Sequence, residues 1–183
     1  MEADTEDLST DSDVLMNLLA TGEVVAILKA LRMRLLISPV VDGEAFYLEG
    51  EEPGDPREAI DLSPLEMAGV LVRVELSDEE LNLVVDLARS VDDGEAEAIA
   101  VGSLRGLRVA TDDRKARQIA TRIGCVLLST PDVLRAWQQA GSIADDVMTR
   151  VLSKVSSRSR YRPPRDHPFY QWWMELITGG SGR

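Results

Sequence analysis

The chain is 183 residues long, 44% hydrophobic, with 32 acids, 20 bases and a formal net charge of −12. That length suits one domain, or one domain with an appendage, and is ample to bury a core. One cysteine (Cys125) excludes an intramolecular disulfide framework, and one histidine (His167) leaves almost no room for a Cys/His zinc site or a Ser-His-Asp scheme.

In chain order, Leu8–Asp11 reads as a short polar strand. Val14–Leu19 is an apolar helix start that breaks at Thr21-Gly22-Glu23, and Val24–Leu31 resumes helical periodicity. Leu35–Ile37 is a compact buried strand. Ser38-Pro39 then caps a helix expected over about Val40–Leu48, and Glu49–Pro56 is a loop on composition. Ser63–Ala68 is a helical turn and Val70–Val74 a peripheral strand. Ser77 followed by Glu80 is a capping-box start for a helix reaching about Val91. Glu95–Leu104 is an Ala-rich helix, Arg108–Thr111 a strand, Asp113–Ile123 a helix, Cys125–Leu128 a strand and Pro131–Ala140 a helix. Strands alternating with helices predict a parallel sheet covered on both faces, a three-layer α/β/α sandwich over residues 1–141. Residues 142–183 form an extension: a helix over Ile143–Val155, a basic linker over Ser156–Pro164, an aromatic helix over Pro168–Ile177 and a flexible end at Gly179–Arg183.

Charge is unevenly placed. Residues 1–100 hold 25 acids and 6 bases, and residues 101–183 hold 14 bases and 7 acids. Arg150–Arg165 carries six bases and no acid, either a solvated tail or a phosphate-contacting arm. No apolar run approaches the roughly 20 residues needed to span a bilayer, and Met1–Asp7 is acidic, unlike a signal peptide. A cytoplasmic protein without membrane contact is therefore expected. Five aromatics crowd into the tail (Tyr161, Phe169, Tyr170, Trp172 and Trp173). They suit packing against a groove of the same chain or of a second protomer, a homodimer, or else stacking on unpaired RNA bases.

In parallel α/β sheets, sites form where loops leave the C-terminal ends of strands. Asp11 and Asp13 follow the first strand, Glu44 follows the second, and Asp112 and Asp113 follow the Arg108–Thr111 strand. Glu95 and Glu97 open the helix before it. Converging carboxylates repel one another unless a cation binds or some take up protons. Oxygen ligands without His or Cys point to a hard cation, Mg²⁺ or Mn²⁺, and such an ion suits phosphoryl chemistry. Arg114, Lys115 and Arg117 follow Asp113, as a solvated face or as phosphate contacts.

The ordered segments Thr10-Asp11-Ser12-Asp13-Val14-Leu15, Ser38-Pro39-Val40-Val41-Asp42-Gly43-Glu44, Asp93-Gly94-Glu95-Ala96-Glu97-Ala98-Ile99-Ala100 and Ala110-Thr111-Asp112-Asp113-Arg114-Lys115 resemble the PIN-domain nucleases, particularly their short prokaryotic toxin-like members. The resemblance covers about residues 8–140. It implies a metal-binding and catalytic quartet of Asp11, Glu44, Glu95 and Asp113. Thr111 matches the hydroxyl before the fourth acid and Ser12 a turn position beside the first. Asp112 sits at a variable position as a fifth acid, and Asp13 stands where Ser or Asn is common. On the helix Glu95 and Glu97 flank the buried stripe symmetrically, and geometry does not choose between them. Glu95 better matches the family register. The family's first strand is usually apolar, whereas Glu6–Thr10 is polar.

The function expected is a Mg²⁺- or Mn²⁺-dependent nuclease, more specifically a ribonuclease hydrolysing RNA with metal-activated water. Arg114, Lys115, Arg117, Arg158, Arg160 and Arg162 would contact RNA. By resemblance, such a protein is the toxin of a toxin–antitoxin pair, held by a small antitoxin protein. The rival reading is a PIN-like protein- or RNA-binding module without catalysis.

Overall fold

The computed structural model describes residues 5–44, 46–52 and 54–179; the expected flexible end lies, beyond Gly179, outside them. The chain opens with β1 (Glu6–Thr10), α1 (Ser12–Ala20), α2 (Val24–Leu31), β2 (Met33–Ile37) and α3 (Pro39–Gly43). A small antiparallel pair, β3 (Tyr47–Leu48) and β4 (Glu58–Ala59), follows, then α4 (Ser63–Met67) and β5 (Leu71–Arg73). Next come α5 (Asp78–Leu87), α6 (Asp93–Arg105), β6 (Arg108–Ala110), α7 (Arg114–Arg122) and β7 (Leu127–Leu128). The last elements are α8 (Thr130–Gly141), α9 (Asp145–Lys154), a π-helical turn over Val155–Ser159 and α10 (Tyr170–Gly179).

The five expected strands pair in parallel in the order β5-β2-β1-β6-β7, with helices on both faces, so the three-layer α/β/α architecture is present. β1, the most polar strand, sits at the centre. Its charges are neutralised sideways: Asp7 accepts from Arg34 of β2 at 2.7 and 3.0 Å, and Glu6 pairs with Arg108 of β6. Ser9 donates to the Ala98 carbonyl of α6 at 2.8 Å, so this buried hydroxyl is satisfied too. Leu8 is the apolar residue that β1 contributes to the core.

Local sequence sets the helix starts. Asp11, Ser38, Ser77, Asp92, Asp113 and Ser129 each cap a helix with a side-chain oxygen, and Ser77, Asp92 and Ser129 belong to full capping boxes. α6 lies directly on β6 because residue 102 is glycine; a Cβ there would collide with Val109. The helix expected over Val40–Leu48 ends at Gly43 instead. Phe46 and Leu48 are buried while Tyr47 is exposed, a period-two pattern that feeds β3 rather than a helix.

The segment after Gly141 packs into the same core as the sandwich. Met148, Val151, Leu152, Val155 and Trp173 join the cluster built by Leu15, Leu18, Ile27 and Leu134. The tail aromatics pack within the chain. Trp173 is fully buried against the edge of Tyr161, ring centroids 5.8 Å apart, and Trp172 donates to Gln138 at 2.9 Å with Arg135 over its ring. Among the described residues no single helix is long and apolar enough to cross a membrane; α1 and α2 would pass together, but they meet at 108° and bury apolar faces in this core.

Trp173→Ala should therefore destabilise the whole protein by about 3–5 kcal/mol, the range for deleting a large buried aromatic. Urea unfolding followed by circular dichroism measures this. A loss below about 1 kcal/mol, the level of an ordinary surface substitution, would contradict a shared core.

Candidate functional site

β1 and β6 end side by side. The Asp11 backbone N–H donates to the Ala110 carbonyl at 3.2 Å, which brings Asp11 to the end of β6, where Thr111, Asp112 and Asp113 follow. Asp11 is 3% exposed. It caps α1 by accepting from Val14 N with Oδ1 at 2.9 Å, while its Oδ2 is buried with no hydrogen-bond partner. The Ser12 hydroxyl beside it is also buried and unpartnered. Asp113 caps α7, accepting from Lys115 N and Ala116 N at 2.7 Å, both through Oδ1, and its own N–H donates to the Thr111 hydroxyl at 3.3 Å.

The other two acids arrive through α3 and α6. Glu44 is the residue at which α3 ends, not a position within a longer helix, and its side chain is exposed. Gly94 stands close to it: a Cβ there would lie 3.3 Å from Glu44 Oε1 and 3.7 Å from Ser12 Oγ. Glycine at this position thus leaves open the space among Glu44, Ser12 and α6. Glu95 accepts from the Asp92 N–H at 3.3 Å in the capping box of α6.

These carboxylates share one electrostatic environment. Burial pushes the Asp11 carboxyl well above the usual range; the nearby Thr111 hydroxyl and the Val14 N–H oppose this, and Asp112 and Asp13 add to it. Burial also raises Asp13, with Asp112, Asp92, Asp113 and Glu44 contributing repulsion. Glu95 is pushed up to about 7 by burial, then by Asp92, Asp113 and Asp13. In each case desolvation leads and neighbouring negative charge adds to it, the condition that a cation would relieve.

The remaining expected residues are placed differently. Glu97 is buried and accepts from Val40 N at 3.0 Å, which ties α6 to the start of α3; Glu95 is the one that feels Asp13 and Asp113. Asp112 is a junction: it accepts from Asn17, from Thr130 N and Oγ1, and from the Tyr161 hydroxyl at 3.0 Å. Arg158, expected in a solvent-facing arm, is 8% exposed. It donates to the Glu49 carbonyl at 3.1 Å and pairs with Glu58, so its guanidinium is committed inside the protein. Arg160 pairs with Glu49 at 2.9 Å. Arg117 donates from Nη1 to the Thr111 and Leu128 carbonyls at 2.9 and 3.1 Å, fastening the ends of β6 and β7. Arg114, Lys115 and Arg162 are exposed. Asn17, Tyr161 and Asp92 are the participants that sequence reading missed. Asn17 and Asp13 do share a helix face four residues apart, the signal available for Asn17; nothing local points Tyr161 at Asp112.

The donor set fits a hard cation: carboxylate and hydroxyl oxygens only, two of them (Asp11 Oδ2 and Ser12 Oγ) buried and unpartnered, in a field of excess negative charge. Among the described residues no three ligating side chains already stand together as a formed metal site.

The raised Glu95 pKa has a definite sign in the metal-free protein. The folded state holds this proton longer than the unfolded chain, so the associated stability is present below about 4.5 and is lost as pH rises through about 7. Denaturation in EDTA at pH 5 and pH 8 should show wild type losing more stability over that interval than Glu95→Gln. Equal losses would contradict this placement of Glu95.

No curated protein and no solved structure matches the chain. A PIN-domain family model matches residues 9–166, which takes in the sandwich, α9 and the Tyr161 junction with Asp112. The parallel α/β/α sandwich, with acids gathered at the ends of its central strands, and this match over most of the chain place the protein in the PIN-domain family, a nuclease-type family.

Proposed function

We propose that the protein is a divalent-metal-dependent ribonuclease in which Asp11, Glu44, Glu95 and Asp113 hold Mg²⁺ or Mn²⁺. The observation that carries this is the buried, unpartnered Oδ2 of Asp11, set among acids whose protons are held by desolvation and mutual repulsion. A buried carboxylate oxygen without a donor is costly and is retained where it has a ligand to bind. When bound, the ion supplies Lewis acidity toward a phosphodiester and makes a water nucleophilic near neutral pH.

The chain's own residues do the rest. Asp11 and Asp113 are fixed by their capping bonds, so each offers a carboxylate in a set orientation. Glu95, pushed up to about 7 in the metal-free protein, gives up its proton when the cation binds, so cation binding releases a proton near neutral pH. Arg114 and Lys115, exposed at the start of α7 next to Asp113, offer positive charge to an incoming phosphate. Asp13, Asp112 and Thr111 are accessory: the first adds charge and the others hold the strand ends. A toxin role and a small antitoxin-like inhibitor complete the reading, and their support is the resemblance to short prokaryotic family members.

Incubation of a mixed RNA pool with the purified protein should give cleavage in Mg²⁺ or Mn²⁺ and none in EDTA. Asp113→Asn should slow it by roughly a hundredfold or more, the scale of losing a transition-state charge partner, while Asp86→Asn, on the exposed face of α5, should leave it unchanged. Equal rates for the two variants would remove Asp113 from the site. Cleavage that persists in EDTA would contradict the metal, and RNA binding without cleavage in any divalent ion would favour the binding module. Binding of Mn²⁺ to the folded state should also raise stability, by roughly 2.7 kcal/mol at one hundred times Kd.

A further inference from the structure

A cavity of about 790 Å³ opens between α7, β7 and the 161–168 segment, and the proposed metal site makes no use of it. Its size lies within the roughly 300–1,000 Å³ of small-molecule sites. It shares Asp112, Arg114 and Tyr161 with a second cavity of about 530 Å³ lined by Asp13 and Asp113, so the two adjoin across these residues. The wall formed by residues 161–168 is fixed at both ends. Tyr161 donates to Asp112 at 3.0 Å, and His167 Nε2 lies 2.9 Å from the Ser129 hydroxyl. His167 Nδ1 accepts from Phe169 N at 3.1 Å, which assigns the proton to Nε2 and makes it the donor to Ser129. The cavity is therefore preformed.

Its charge is anomalous for this chain. Against the chain's 32 acids and 20 bases, the cavity lining reverses the balance, with four arginines (Arg114, Arg117, Arg122 and Arg162) and two acids (Asp112 and Asp166). Among the described residues Arg122 and Arg162 pair with no acid, and Arg114 has only Asp166 at 3.8 Å, both partners being largely exposed. Arg114, Arg122 and Arg162 line this one cavity together with apolar surface from Leu127, Tyr161 and Pro164. A cationic rim beside a flat apolar wall fits a ligand with a phosphate at one end and a planar ring at the other.

We infer that this cavity is a nucleotide subsite: Arg114, Arg122 and Arg162 hold the phosphate of a nucleotide flanking the scissile bond, and Tyr161, Leu127 and Pro164 receive its base. The inference rests on the nuclease reading for the polymer that delivers the nucleotide, but the cavity binds the nucleotide unit without metal or cleavage.

Calorimetric titration of the full chain in EDTA tests it, with adenosine 5′-monophosphate, adenosine and inorganic phosphate as separate probes. The monophosphate should bind, and the nucleoside and the bare phosphate should each bind at least about tenfold more weakly, because each engages half of the site. The double variant Arg122→Glu/Arg162→Glu should lose about tenfold or more in affinity for the monophosphate. Gln118→Trp, which fills the cavity from α7, should lose it as well, and Arg89→Glu/Arg150→Glu, the same two charge reversals outside the cavity, should not. Melting temperatures near wild type confirm that the exposed substitutions leave the fold intact.

The proposal is overturned by no monophosphate binding at millimolar concentration, by equal affinity for inorganic phosphate, or by unchanged binding in the double and cavity-filled variants. Displacement of the monophosphate by an acidic peptide at equal affinity would make the cavity a protein-docking groove and likewise overturn it. The two readings separate cleanly. A protein that binds the monophosphate through these arginines but never cleaves RNA keeps the subsite and loses the nuclease. A protein whose RNA cleavage rate and pattern survive the double variant keeps the nuclease and loses the subsite.

Discussion

Asp11 keeps one carboxylate oxygen buried and unpartnered at the C-terminal end of the central strand, and much of the surrounding structure is arranged around that oxygen. Burying a charged group without a partner is unfavourable enough that such a group protonates, finds a partner or binds a cation. The sheet puts Asp11 there because β1 is central and its end is bonded to the end of β6, which forces the Thr111–Asp113 turn alongside. α6 then brings Glu95, and the glycine at 94 leaves space for Glu44 and Ser12. Capping bonds hold Asp11 and Asp113 to their helices, and burial, with charge from Asp112 and Asp13 adding to it, raises the Asp11 pKa while its side chain stays in place.

A second layer of polar bonding connects this cluster to the C-terminal segment. Asp112 gathers donors from α1, from the start of α8 and from Tyr161. Its oxygens are satisfied by protein, so it fixes geometry, whereas Asp11 Oδ2 is unpartnered. The same bond from Tyr161 forms one wall of the arginine-lined cavity. Residues beyond Gly141 thus contribute to the site as well as to the core through Met148, Val155 and Trp173. The family match, which runs to residue 166, is consistent with that joint packing.

Much of this was legible in the sequence because it is local. Capping residues, the strand–helix alternation and the order of the acids are all short-range patterns, and the parallel sheet follows from them. Glu6–Thr10 is polar where the family's first strand is usually apolar, yet it is the central strand. Its charges are answered by Arg34 and Arg108, residues far away in sequence, which no local pattern reveals. The segment after Gly43 reads as helical from composition, yet alternating burial of Phe46 and Leu48 makes it a strand. Arg158 belongs to a run of bases and looks solvent-facing; Glu58, one hundred residues earlier, holds it inside. Which of Glu95 and Glu97 lies among the acids depends on how α6 meets α3, a tertiary fact that the helical wheel leaves undetermined.

The central claim is that a cation binds at Asp11. Anomalous diffraction from crystals grown or soaked in Mn²⁺ locates the ion directly. The account predicts a single strong manganese peak within coordinating distance of Asp11 Oδ2, sharing ligands with Asp113 and Glu95 or Glu44, and its disappearance in Asp11→Asn crystals treated identically. Manganese bound only elsewhere, with Asp11 Oδ2 still unpartnered, would contradict it.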